Sequence, residues 1–255
     1  MPAVRRLTVL LAAAVAALLA VAAQAGEARI AVAANFADAA REIGRAFERA
    51  TGHRAIYSFG ATGQLYTQID QGAPFAVFLA ADRARPRKAE AEGLAVPGTR
   101  FTYASGRIVL FSLEPGLARG VETLKEGAFS RLAIANPTTA PYGAAAVETL
   151  QALGDYEALK PRLVYGNNIA QAYQFVATGN AELGFVALSQ IAGHDEGSRW
   201  LVPESLHAVI AQDAVLLKAG DDNAAAHAYL DFLRGPEANA VKARFGYGAG
   251  GKASP

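Results

Sequence analysis

Residues 28–50 have the sequence ARIAVAANFADAAREIGRAFERA, in which a short apolar strand runs directly into an amphipathic helix. Arg29–Ala33 is the strand, and from Phe36 the apolar side chains recur at helical spacing. Asn35 stands between the two, at a position typical of a helix N-cap. The first turn of a helix carries unpaired N–H groups and positive potential, so this junction predicts an anion site, with simple capping by Asn35 as the alternative.

The same strand–turn–helix pattern recurs after the predicted strand Arg54–Phe59. The turn Ser58-Phe59-Gly60-Ala61-Thr62-Gly63 lets the backbone approach a ligand closely, because glycine carries no side chain. Thr62 either caps the following helix or offers its hydroxyl and N–H to a ligand. No lysine follows these glycines, so the turn is not a P-loop.

Two further helix starts come from the middle of the chain. Pro141 is suited to a first helical turn, which leaves the N–H groups of Tyr142 and Gly143 free. Asn168 is the expected cap of the helix Ile169–Thr178, in a capping-box arrangement with a glutamine three residues on. Ligands of α/β proteins lie beyond the carboxyl ends of parallel strands, so these four helix starts predict a cleft between two lobes.

Residues 1–25 have the features of a cleavable signal peptide. Arg5 and Arg6 precede an apolar run that ends in the small-x-small sequence Ala23-Gln24-Ala25. The run is short for a membrane span, although a retained N-terminal anchor is the alternative. We expect the mature chain to start near Gly26 and to be exported to the periplasm, and the absence of cysteine suits that oxidising compartment.

Composition argues against several classes of protein. The 24 basic and 23 acidic residues give a net charge of +1, and loss of Arg5 and Arg6 with the signal peptide brings it to −1. No basic excess is available for nucleic acid or an anionic membrane. The histidines lack metal-ligand spacing and no G-x-S-x-G or HExxH motif occurs, so neither an enzyme nor a bound metal or cofactor is expected. These histidines are His53, His194, His207 and His227.

Taken together, the motifs resemble the periplasmic molybdate-binding proteins of bacterial ABC importers. The resemblance covers essentially all of the chain after the signal peptide and rests on the order and spacing of its motifs. These are Arg29–Phe36, Ser58–Gly63, Gly72–Phe75 with Ala80–Asp82, Asn136-Pro137 with Pro141–Gly143, and Phe232–Glu237. It implies the two-lobed type II periplasmic binding protein fold, of α/β class, with a mostly parallel sheet flanked by helices in each lobe and a two-crossing hinge. Lobe I is then 26–107 with 213–255, and lobe II is 108–212.

The resemblance also implies which groups hold an oxyanion. They are the backbone of Ala34, the backbone and side chain of Asn35, the N–H and hydroxyl of Thr62, and the N–H groups of Tyr142 and Ile169. Some members add a tyrosine hydroxyl after the strand that corresponds to Gly184–Val186. Here Ala187 and Leu188 follow, so that contact is expected to be absent.

The sequence therefore predicts a monomeric solute-binding protein that captures molybdate or tungstate and passes it to the permease and ATPase subunits of an ABC importer. Both anions are fully deprotonated at neutral pH and need donors only, whereas phosphate keeps a proton and needs an acceptor. No carboxylate is expected at the contact positions, and no arginine fork for a carboxylate ligand lies in the four turns. Binding of another tetrahedral oxyanion, such as sulfate, is the alternative.

Overall fold

The computed structural model describes residues 25–193 and 196–249. The predicted signal peptide, apart from Ala25, lies outside the described residues, as do His194 and the end of the glycine-rich tail. None of the helices within the described ranges combines the length and the apolar character that crossing a membrane requires.

Strands and helices alternate along most of the chain, as the sequence predicts. The strands are β1 (Glu27–Ala33), β2 (Arg54–Gly60), β3 (Val77–Leu79), β4 (Phe101–Gly106), β5 (Ile108–Ser112), β6 (Leu132–Ala135), β7 (Leu163–Gly166), β8 (Leu183–Ala187), β9 (Ser198–Leu201), β10 (Ile210–Leu216) and β11 (Gly248–Ala249). The helices are α1 (Ala37–Thr51), α2 (Thr62–Asp70), α3 (Ala84–Ala91), α4 (Val121–Glu126), α5 (Pro141–Ala152), α6 (Tyr156–Leu159), α7 (Ile169–Ala177), α8 (Ala224–Arg234) and α9 (Pro236–Arg244).

The strands form two separate sheets, one in each lobe. The first has the order β11-β4-β10-β3-β1-β2, and the second has the order β7-β6-β8-β5-β9. In the first sheet β1 pairs in parallel with β2 and β3, whereas β10 runs antiparallel to β3 and β4. In the second, β6 is parallel to β7 and β8, and β5 is antiparallel to β8 and β9. The predicted two-lobed α/β fold is confirmed, and both sheets are mixed rather than mostly parallel.

The chain passes between the two sheets twice. The first passage is the short link from β4 to β5 at Arg107, and the second leads from β9 to β10. The predicted lobe limit at 107/108 falls in the first passage. The limit at 212/213 falls inside β10, which pairs with β4 from Ile210 onward, so all of β10 belongs to the first sheet. The remaining limits of the lobes stay a prediction.

Helix α1 shows how the sequence positions the end of β1. Its apolar face is fully buried against the first sheet, and the ring of Phe47 lies edge-on to that of Tyr229 in α8, with 5.3 Å between centroids. The helix ends at Gly52, whose φ of 75° is the left-handed conformation that favours glycine. Because β1 and α1 are fixed in this core, the turn that joins them is held firmly at the edge of the sheet.

Lys242 on α9 is a buried charge, with 6% of its surface exposed. Its Nζ donates to the carbonyl oxygens of Tyr103 at 2.9 Å and Leu233 at 3.0 Å. Burial lowers the pKa of this amine to about 8. The amine of an unfolded chain has a pKa of about 10.4, so between these values the folded protein binds fewer protons than the unfolded chain. The contribution of Lys242 to the free energy of unfolding therefore rises as the pH increases through this range.

We expect the free energy of unfolding of the wild type, relative to Lys242→Met, to rise by up to about 1.4 kcal/mol per pH unit between about pH 8.5 and 9.5. Urea unfolding of both proteins across this range measures the difference. The Met variant is the matched control, since it keeps a long side chain without an ionisable group. If the two unfolding curves shift in parallel with pH, the lowered pKa is wrong.

Candidate functional site

The five residues predicted to contact an oxyanion surround one small cavity between the lobes. Its walls come from the ends of β1 and β2 and the starts of α2, α5 and α7. The described residues that line it are all uncharged: Ala33, Ala34, Asn35, Gly60, Ala61, Thr62, Ala81, Ala140, Pro141, Tyr142, Asn168 and Ile169. The cavity has a volume of about 10 Å³, room for about one water-sized sphere.

Asn35 lies in a tight 3-10 turn, Ala34–Phe36, between β1 and α1. The N-cap residue of α1 is Phe36, whose side chain makes no capping hydrogen bond, so the prediction that Asn35 is an N-cap is wrong. The turn moves the helix start one residue on and directs the Asn35 amide into the protein, where Asn35 is 3% exposed. Its Nδ2 donates to Gln212 Oε1 at 2.9 Å and to the Tyr247 hydroxyl at 3.1 Å.

These hydrogen bonds bear on how Asn35 could contact an anion. An amide nitrogen carries two hydrogens, and both have an acceptor within 3.1 Å. A side-chain contact to a ligand would need one of these bonds to be exchanged. The predicted side-chain contact therefore stays a prediction, and the Asn35 backbone N–H is the simpler donor.

Thr62 is the first residue of α2 and is 1% exposed. The cap of α2 is Ala61, so Thr62 is not the capping residue. Its Oγ1 accepts the N–H of Ala81 at 3.0 Å. A hydroxyl has one proton to donate as well as lone pairs to accept, so this bond fixes the oxygen and leaves the proton available to the cavity. With the N–H of the first helical turn, Thr62 can supply two donors.

The second lobe contributes the starts of α5 and α7. Pro141 occupies the first turn of α5, as predicted, and Tyr142 follows it. The N–H of Gly143 donates to the carbonyl of Ala140 at 2.9 Å, so the prediction that it is free is wrong. Asn168 is confirmed as the cap of α7, because its side chain accepts the N–H of Gln171 at 3.1 Å.

Hydrogen bonds join the lobes around this cavity, and the three described next are shorter than those made by the Tyr142 hydroxyl. The N–H of Gly63 donates to Thr139 O at 2.8 Å. Arg85, oriented by Asp82, donates from Nη2 to Thr138 O at 3.1 Å. The third bond runs from Ser189 Oγ to Asn35 O at 2.8 Å. The structure is therefore the closed arrangement of the two lobes.

The described residues that line the cavity carry no formal charge. Burial raises the pKa of the Tyr103, Tyr142 and Tyr247 hydroxyls, so these groups stay protonated at physiological pH. In the part of the chain that the structure describes, no cluster of histidine, aspartate and glutamate could hold a metal ion. His53, for example, lies far along the sheet and accepts the N–H of Gly26 at 2.9 Å.

Sequence reasoning missed the buried polar residues behind the cavity, above all Gln212, Tyr103, Tyr247 and Ser189. Only Gln212 left a local signal, since it interrupts the apolar run of β10 and is fully buried. Folding over long stretches of chain brings Tyr247 and Ser189 to Asn35 and brings Tyr103 to Gln212, and no spacing pattern marks these three residues.

Known proteins match this chain over both of its lobes. The family model described as bacterial extracellular solute-binding protein matches residues 28–248. The molybdate-binding protein ModA of Rhodobacter capsulatus is 55% identical over 229 residues, which are 90% of this chain and 91% of that protein. The ModA of Azotobacter vinelandii is 56% identical over 236 residues, which are 91% and 93% of the two chains.

A solved structure shows the same architecture. The periplasmic molybdate-binding protein of Azotobacter vinelandii superposes with a TM-score of 0.84 at 38% sequence identity, over 87% of this chain and 98% of that one. The likeness thus extends over both sheets and the cleft between them.

The closed arrangement depends on the lack of a side chain at Gly63. A Cβ there would lie 3.1 Å from Thr139 Cα and O, in the opposite lobe. We expect Gly63→Ala to fold normally and to separate the lobes slightly. Loss of the Gly63–Thr139 bond should weaken binding of molybdate, the ligand expected from the sequence, by about tenfold in calorimetry.

Gly235→Ala is the matched control for this variant. Its added Cβ would lie 3.1 Å from the carbonyl oxygen of Phe232, an equally close contact that stays within the first lobe. The control should bind with wild-type affinity. Equal affinities of Gly63→Ala and the wild type would show that the contact between the lobes does not contribute to binding.

Proposed function

The chain belongs to the family of bacterial extracellular solute-binding proteins, and from this premise we propose that it captures molybdate in the cavity between its lobes for delivery to an ABC importer. It is a binding protein and not an enzyme. The observation that carries the proposal is the wall of the cavity, where helix starts from both lobes meet and the described lining residues are uncharged.

Molybdate suits such a wall because it has no proton to donate and accepts hydrogen bonds at all its oxygens. The first lobe offers the N–H groups of Ala34 and Asn35 and both donors of Thr62. The second lobe offers the N–H groups of Tyr142 and Ile169. Each helix start adds positive potential, so the dianion is stabilised without a formal charge on the protein.

The same arrangement discriminates among oxyanions. Phosphate keeps a proton at neutral pH, and the uncharged wall has no carboxylate to accept it. Sulfate is deprotonated but smaller, so it cannot reach every donor at once. Each donor left unpaired in a closed cleft costs about 1–3 kcal/mol, and two of them amount to roughly a hundredfold in affinity.

We extend the proposal to tungstate, which has nearly the size and the charge of molybdate. We also propose that residues 1–25 are removed as a signal peptide, that the protein acts in the periplasm as a monomer, and that it needs no cofactor. The Azotobacter vinelandii structure is described as periplasmic, which supports this location. The proposed partners are the membrane permease and the ATPase of the importer.

Competition calorimetry with a panel of anions tests the ligand. We expect molybdate and tungstate to bind alike, sulfate to bind at least about a hundredfold more weakly, and phosphate to show no binding. Sulfate affinity equal to that of molybdate would overturn the assignment and favour a sulfate-type binding protein.

The same panel applied to Thr62→Ala shows whether the cavity is the binding site. Loss of the hydroxyl should weaken molybdate by about tenfold and leave the order of the anions unchanged. Thr67→Ala is the matched control, since Thr67 lies on the same helix and its hydroxyl bonds only to Gly63 O on the surface. If both variants bind like the wild type, the cavity does not hold the anion.

A further inference from the structure

A buried glutamine lies behind the cavity and connects the two lobes. Gln212, in β10, is fully buried and, among the described residues, does not belong to the cavity wall. Its Oε1 accepts from Asn35 Nδ2 at 2.9 Å and from the Tyr103 hydroxyl at 3.0 Å. Its Nε2 donates to the hydroxyl of Tyr142, from the opposite lobe, at 3.4 Å.

The space around this connection is closely fitted. Gly106, at the end of β4, pairs with Ile210 next to the passage between the lobes. A Cβ at Gly106 would overlap the Tyr142 hydroxyl and lie 2.6 Å from Gln212 Nε2. The Tyr142 side chain can therefore reach across to Gln212 only because this position carries no side chain.

Two of the residues that bond to Gln212, Asn35 and Tyr142, also line the cavity. Asn35 and Tyr142 offer their backbone N–H groups to the anion, one from each lobe. Their side chains end on the same amide of Gln212. The distance between the two sets of donors is thus linked to the hydrogen bonds of one buried side chain.

Asn35 is also held on its backbone side. Its carbonyl oxygen accepts from the Tyr247 hydroxyl at 2.6 Å and from Ser189 Oγ at 2.8 Å. The Tyr247 hydroxyl, from the first lobe, bonds both the amide and the carbonyl of Asn35 and holds the turn beside Gln212, whereas Ser189 belongs to the second lobe. A change in the bond between Gln212 and Tyr142 would therefore shift the second lobe rather than the turn.

We propose that Gln212 is a positioning residue that sets the spacing between the donors of the two lobes in the closed state, and with it the affinity and the preference for the larger oxyanions. The proposal rests on the proposed function above. Gln212 acts through Asn35 and Tyr142 and does not itself contact the anion.

A double-mutant cycle tests the proposal. Calorimetry measures the affinities for molybdate and sulfate of the wild type, Gln212→Leu, Tyr142→Phe and the double variant. Each single change should weaken molybdate by about tenfold and lower the ratio of molybdate to sulfate affinity. The double variant should be no weaker than the single ones, because both remove the same link. Tyr142→Phe by itself still tests the link if Gln212→Leu does not fold.

Thr149→Val is the matched control. Thr149 is also fully buried, and its hydroxyl bonds to Ala145 O at 2.7 Å within α5, so this bond does not join the lobes. The control should lower the unfolding temperature and leave both affinities unchanged. If Gln212→Leu behaves like this control, or if the two single effects add in the double variant, the positioning role is wrong.

Failure of the proposed function gives a different result. A wild type that prefers sulfate to molybdate contradicts the ligand assignment, whereas the coupling between Gln212 and Tyr142 remains measurable with sulfate. The affinity order of the wild type therefore tests the function, and the coupling tests the role of Gln212.

Discussion

The cleft of this protein is built around backbone N–H groups that helix geometry leaves without hydrogen-bond acceptors. The first turn of a helix cannot bond its own N–H groups, and a buried donor that finds no acceptor costs about 1–3 kcal/mol. Here the starts of α2, α5 and α7 and the turn before α1 meet in one closed cleft. In the proposed function, an anion with several acceptor oxygens satisfies these groups together, so a site without charged wall residues holds a dianion and closure of the lobes is favoured.

Closure of the lobes adds a second requirement, because the donors of the two lobes must lie at the separation that one anion can bridge. The contacts of Gly63 with Thr139 and of Ser189 with Asn35 form only when the lobes meet. The buried amide of Gln212 lies where β10 enters the first sheet, beside both lobes. In the role proposed for Gln212, the hinge region contributes a side chain that sets the spacing between the donors of the two lobes. Its backbone connects the lobes that move.

Local patterns in the sequence were sufficient to predict the alternating elements and the four helix starts, whereas the five cavity residues were implied by the resemblance to molybdate-binding proteins. Strand and helix periodicity and capping chemistry act within a few residues, so these features are visible without the fold. The capping role of Asn35 was wrong because its amide is bonded by Gln212 and Tyr247, far away in sequence. The edge strand β9 was missed for a related reason, since its four residues have no apolar period and are placed by pairing with β5.

The most direct test of the account is an amide ¹H–¹⁵N spectrum recorded as molybdate is added. The amides expected to move strongly downfield are those of Ala34, Asn35, Thr62, Tyr142 and Ile169. The amide of Gly143 already donates to Ala140 O within its own lobe, so it should move much less and serve as an internal reference. Downfield shifts confined to the predicted amides of both lobes are the result that the account predicts. Saturating molybdate that leaves these amides in place, or shifts those of one lobe only, would contradict it.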